Sequence, residues 1–130
     1  MKLSSKQVFT MLEKAVEKAN EINVSVNIAI LDTGGHLLGF IRMNNAYKAC
    51  IDIAIGKAKT SMLYGISSEE VAEFLKPESK MYGVLNTNGG LLGFKGGIPV
   101  TLENEIVAYI GVSGGSPEED LEVAIAGSNF

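Results

Sequence analysis

The sequence predicts an α/β sandwich in which helices pack on a mainly antiparallel sheet. Three observations carry this reading: serine-capped amphipathic helices at both ends, paired apolar strand patterns joined by loops of hairpin length, and a glycine-rich stretch between them. The chain has 130 residues, 46% of them apolar and 20% charged. That is the size and composition of a single domain, 1–130, able to bury about two thirds of the surface its unfolded form exposes.

Ser4 and Gln7 form a capping-box pattern, with Leu3 and Val8 placed as a hydrophobic staple, so a helix starts here. Val8, Leu12, Ala15, Ala19 and Ile22 continue it as an apolar row at spacings of three and four, to an end near 20–23. Alternating apolar residues predict a strand over 24–31. The run Asp32-Thr33-Gly34-Gly35 turns the chain, and 37–43 returns as the second strand. A helix follows over 47–64, with Gly65 as its C-cap, and the Ser67-Ser68-Glu69-Glu70 run opens a short helix that stops before Pro77. Strands over 98–102 and 105–113 meet at Glu103-Asn104, with Pro99 suited to an edge or a strand start. Ser116-Pro117-Glu118-Glu119 opens the last helix. Two or three strands are expected in the second half of the chain.

Composition narrows the function classes. The formal net charge of −4, the pI near 5.0 and the lack of a basic stripe exclude a nucleic-acid backbone as ligand. The mean hydropathy of +0.20, without a long apolar run, points to contacts between subunits of a homo-oligomer and away from the membrane. The start MKLSSKQVF has no apolar signal core, so the cytoplasm is the expected compartment. Cys50, the single cysteine, has no internal disulfide partner.

Nine of the fifteen glycines fall between Tyr82 and Gly115, a segment with no histidine, cysteine or aspartate. Backbone N–H groups and amides dominate it, which suits binding rather than acid–base chemistry. Asn88, Gly89, Gly90, Gly96 and Gly97 are candidate cradles for a ligand, or turns that only glycine permits. Gly111-Val112-Ser113-Gly114-Gly115 has the form of a nucleophile elbow, but no histidine follows it; glycines leading a strand into a capped helix explain it better. His36, the single histidine, is a candidate metal or haem-iron ligand or a solvated turn residue. Lys57 stands alone on a small-residue helix face. It is a candidate partner for a carboxylate or a haem propionate, or a lysine that snorkels at a subunit contact.

Five pieces in order, Asp32-Thr33-Gly34-Gly35-His36-Leu37, Ile51-Asp52-Ile53-Ala54 with Lys57-Ala58-Lys59-Thr60, Asn88-Gly89-Gly90, Gly96-Gly97-Ile98-Pro99 and 111–115, resemble the GlcG/HbpS family. That family includes the C-terminal domain of PduO-type cobalamin adenosyltransferases. The resemblance covers nearly the whole chain. It implies a profilin-like three-layer α/β/α sandwich around a five-stranded antiparallel sheet, symmetric homo-oligomers, and binding of haem or a related tetrapyrrole, with cobalamin as the lesser candidate. It also implies three classes of role: a binding module without turnover, a haem-degrading or small-metabolite enzyme, or an accessory subunit of a propanediol- or glycolate-type system. No adenosyltransferase domain lies within the 130 residues, so adenosylation is not expected. Lys95 departs from the family's run of three glycines just ahead of Gly96-Gly97.

Overall fold

A computed structural model describes residues 2–130. Helix α1, Ser5–Glu21, begins at the expected capping box: the Gln7 N–H donates to Ser4 Oγ and the Ser4 N–H to Gln7 Oε1. Val8, Met11, Leu12, Ala15 and Ala19 are its buried stripe. Asn23, in the left-handed region at φ 59°, ends the segment. Strand β1 then runs Asn27–Leu31, shorter than the 24–31 expected, and all five of its residues are buried. Strand β2, Leu37–Arg42, returns beside it. Helix α2, Ala49–Tyr64, ends at Gly65 in the left-handed conformation expected of a C-cap. The short α3, Ser68–Val71, follows, and strands β3 (Gly97–Leu102) and β4 (Glu105–Ser113) are joined at Glu103 and Asn104, both at positive φ as a two-residue hairpin turn requires. Helix α4, Pro117–Ser128, closes the fold behind its Ser116 capping box.

The fold is mixed α/β, with one antiparallel sheet in the order β2-β1-β4-β3 and four α-helices among the described residues. The resemblance implies a five-stranded sheet; the described residues form four strands. Residues that could have supplied another fold instead as a 3-10 turn, Tyr82–Asn86, and then pass through positive φ at Asn88, Gly89 and Gly90, which breaks any extended run.

The two sheet faces are covered differently. Ile28, Ile30, Ala108, Ile110 and Val112 meet the apolar stripes of α1 and α4 in the main core. On the opposite face Leu31 and Tyr109 pack with Ala58 and Met62 of α2. Gly111 lies under α2 so closely that an added Cβ would stand 2.0 Å from the Ala54 carbonyl oxygen. Here absence of a side chain fixes how near helix and sheet can come.

Candidate functional site

The residues singled out in the sequence fall into three separate places. Lys57 is in the interior, with no exposed surface. Its Nζ donates to the Val112 carbonyl oxygen and to Asp120 Oδ2, both at 2.9 Å, and lies 4.5 Å from the centroid of the Phe94 ring. Asp120 sits in the first turn of α4, where its Oδ1 accepts the Gly115 N–H. The pair therefore ties α2, on one sheet face, to α4 on the other. Burial pushes the Asp120 carboxyl up, opposed by the Lys57 ammonium and by the Gly115 and Gly114 N–H groups.

Gly96 and Gly97 belong to this interior cluster. An added Cβ would stand 2.8 Å from Lys57 Nζ at Gly96 and 2.2 Å from the Lys57 carbonyl oxygen at Gly97. Ser68 finishes the loop, accepting the Gly97 N–H and donating to the Phe94 carbonyl oxygen. Lys57 thus has its anion within the chain, the Asp120 carboxylate, and does not snorkel to the surface. Asp120 and Ser68 are not singled out by the sequence as members of a site, because each finds its partners far along the chain and leaves no local signal.

Asn88, Gly89 and Gly90 form a turn over the outer side of α2. The Lys59 ammonium donates to the Asn88 carbonyl oxygen, and the Leu92 N–H donates to Thr60 Oγ1. Gly56 makes this approach possible, since a Cβ there would meet Leu92 Cδ1 at 2.4 Å. At Gly89 and Gly90 an added Cβ would instead point into open space. The turn and helix enclose a concavity of about 260 Å³ with Asp52, Ile55 and Lys59 on its helix side. Lys59, named in the sequence only within the Lys57-Ala58-Lys59-Thr60 piece, is the cation that stands beside Asn88.

His36 occupies the third place, at the exit of the β1–β2 turn, with its side chain 82% exposed. Asp32 organises that turn: its Oδ1 accepts the Gly34 and His36 backbone N–H groups and lies 3.3 Å from His36 Nδ1. A carboxylate beside Nδ1 leaves Nε2 facing outward, an arrangement suited to a metal-binding imidazole. The same turn borders a depression of about 320 Å³ that includes Leu3, Leu38 and Val107. No hydrogen bond or ion pair among the described residues joins His36 to Lys57 or to 88–90.

The His36 backbone N–H is the largest of the influences that hold the Asp32 carboxyl below its ordinary value. A carboxylate whose folded value is depressed stabilises the fold above the ordinary carboxylate range and loses that contribution as pH falls through the folded value. His36→Ala keeps the backbone donor, so Asp32 is expected to go on titrating below the ordinary value. A carboxyl-carbon NMR titration of both proteins checks this; a return to the ordinary value in the variant would assign the effect to the imidazole.

The G-x-S-x-G segment serves the backbone. Ser113 is buried at the end of an antiparallel strand, Gly114 takes φ +145° against the Ser25 carbonyl oxygen, and Ser116 caps α4. No His, Cys, Asp or Glu cluster of metal-ligand type is formed among the described residues. No helix among them is long and apolar enough to cross a membrane.

Comparison with known proteins decides the family, because residues 3–129 match the model described as "Haem degrading protein HbpS-like". The chain belongs to the HbpS-like family. This HbpS-like chain is 37% identical over 111 residues to a 15.0 kDa protein from the dhaT-dhaS intergenic region of Citrobacter freundii, covering 84% of this chain and 78% of that protein. The crystal structure of Klebsiella pneumoniae ORFY superposes with a TM-score of 0.93 at 30% identity, covering 98% of this chain and 88% of that one. The PduOC:heme complex superposes with a TM-score of 0.92 at 26% identity, covering 98% and 94%.

Proposed function

We propose that this chain is a homo-oligomeric small-molecule binding module for haem or a related tetrapyrrole, acting without turnover of its own. The observation that carries the reading is the likeness, over 98% of the chain, to a structure solved as a haem complex. A tetrapyrrole of this kind combines a flat apolar body, carboxylate side arms and, in haem, an iron that accepts an imidazole nitrogen. The chain displays groups of each complementary kind: exposed Tyr47, Met81 and Tyr82, the Lys59 ammonium with the backbone donors of 88–90, and His36 with Nδ1 turned to Asp32. In this reading His36 is the iron ligand and the Asn88–Gly90 turn with Lys59 receives an anionic arm. Lys57, Gly96 and Gly97 act from the interior, holding the framework that carries both. Helices over both sheet faces support the profilin-like description, and the free Cys50 is consistent with a cytoplasmic setting. Cobalamin is the lesser ligand candidate.

Haem added to the purified protein is expected to give a shifted Soret band, and native mass spectrometry to show a haem adduct on an oligomer. His36→Ala is expected to weaken or shift that band; an unchanged spectrum removes His36 from the iron. If wild type shows neither spectrum nor adduct with haem or cobalamin, the binding module is wrong. The description of the family model favours one second reading, haem degradation. A defined bile-pigment-like product formed with reductant and oxygen would establish it, whereas bleaching would not.

A further inference from the structure

The concavity between α2 and the 88–90 turn carries groups of both signs that the chain leaves without partners. At one end are donors. The Asn88 and Gly89 backbone N–H groups make no hydrogen bond among the described residues, although the flanking Thr87 and Gly90 N–H groups bond the Val84 and Thr87 carbonyl oxygens. Lys59 gives one of its three N–H donors to the Asn88 carbonyl oxygen, and no carboxylate among the described residues stands within ion-pair distance of it.

At the other end is an acceptor. Asp52 lines the same space, and its carboxylate has neither hydrogen bond nor ion pair among the described residues. Its place in the first turn of α2 suits the helix dipole, which accounts for a negative charge there but not for one that borders a cavity opposite a lysine. Lys48, one turn earlier on the same row, is exposed and not within ion-pair distance of it. Asp52 and Lys59 are two helical turns apart on one face, their backbone positions separated by about 10 Å along the axis. Ile55 and Leu92 line the space as well, Leu92 seated where Gly56 has no side chain. Donors, an apolar middle and a carboxylate thus follow one another along the cleft. Its volume of about 260 Å³ corresponds to roughly nine waters at about 30 Å³ each, room for a short aliphatic chain and not for a tetrapyrrole body.

We propose that this concavity binds a small aliphatic ω-amino acid as its zwitterion, with the carboxylate on Lys59 and the free N–H groups of the 88–90 turn and the ammonium on Asp52. The two ends enforce each other. An anion alone satisfies the donors and leaves Asp52 as a nearby like charge; a cation alone does the reverse with Lys59. A ligand that carries both charges, joined by methylenes that lie on Ile55 and Leu92, satisfies the whole cleft. Asp52 is in this reading the residue that separates an amino acid from a plain carboxylic acid of the same length. The inference rests on the 88–90 turn accepting an anion, the one element it shares with the haem reading.

Amide NMR titrations of the full chain test it, with δ-aminovalerate as the probe, γ-aminobutyrate and ε-aminocaproate to bracket its length, and valerate and pentylamine as analogues carrying one charge. At least one of the amino acids is expected to shift the amides of 52–59 and 88–90 and to bind about tenfold more tightly than either single-charge analogue. Asp52→Asn keeps the shape of the side chain and is expected to bring the amino acid down to the affinity of valerate, without weakening valerate itself. Lys59→Met is expected to weaken valerate and the amino acid together. Valerate binding as tightly as the amino acids, shifts confined to another part of the molecule, or an amino acid indifferent to Asp52→Asn would each overturn the proposal. A wild type that binds haem and none of these probes overturns this site and leaves the haem reading standing. One that binds an amino acid here and no tetrapyrrole does the opposite.

Discussion

Lys57→Met is expected to destabilise the fold by about 3–5 kcal/mol at neutral pH, the range for removing one partner of a buried ion pair. Methionine fills much of the space between Gly96 and Phe94, so loss of volume is a small part of the effect. The main cost is the Asp120 carboxylate, left buried without its cation. Asp120→Asn removes that charge and keeps an oxygen for the Gly115 N–H. The double variant Lys57→Met with Asp120→Asn is accordingly expected to recover most of the loss, and a double-mutant cycle by denaturant unfolding isolates the coupling. The pH dependence has a definite sign. Burial already holds the Asp120 carboxyl above its ordinary value, and without Lys57 it rises further. Between the ordinary and the folded values the unfolded chain releases a proton that the folded chain keeps, so stability falls as pH rises through that window. Lys57→Met should therefore be least harmful in mild acid. Equal losses at low and neutral pH, or a double variant no better than the single, would show that the pair is not the reason Lys57 is buried.

Helix starts and turns were legible because their signals are local. Ser4 with Gln7, Ser116 with Glu119, and Asp32 with Gly34 each act within four residues, and each forms the hydrogen bonds its pattern implies. The Lys57–Asp120 pair is 63 positions apart and could not be read that way. What the sequence did show is that Lys57 stands alone on a face of small residues, the requirement for a helix lying close on a sheet. The glycines divide along the same line. Gly89 and Gly90 are at positive φ with open space beyond them, which is backbone demand and a turn signal. Gly97 and Gly111 have ordinary strand conformations and are glycine because of what lies above them. Sequence presents both kinds identically. A count of glycines therefore locates a region of close approach without saying whether a ligand or the chain's own helix makes it.

Gly111→Ala carries the second large expected effect, a loss of at least about 3 kcal/mol, at the upper end of what overpacking a core costs. Its added methyl would stand 2.0 Å from the Ala54 carbonyl oxygen and 2.7 Å from the Ala58 nitrogen. Both are backbone atoms in the middle of α2, which cannot move singly as a side chain can. The helix must lift as a body from β4, and with it the reach of Lys57 to Asp120 and the seat of the 88–90 turn on Lys59. Gly83→Ala is the control, because Gly83 has open space and no positive φ; there the loss of unfolded-chain freedom is expected to stabilise by about 0.4–1 kcal/mol. Unfolding curves for the two variants test the contrast directly. Should Gly111→Ala prove as mild as Gly83→Ala, α2 does not rest on the sheet at the distance described, and the interior around Lys57 would have to be looser than these contacts allow. If instead it is severe, the sheet-to-helix spacing set at Gly111 supports the seat of the 88–90 turn on α2, and under the proposed haem-binding reading a variant that loosens this spacing is expected to bind haem more weakly even where every surface residue is unchanged.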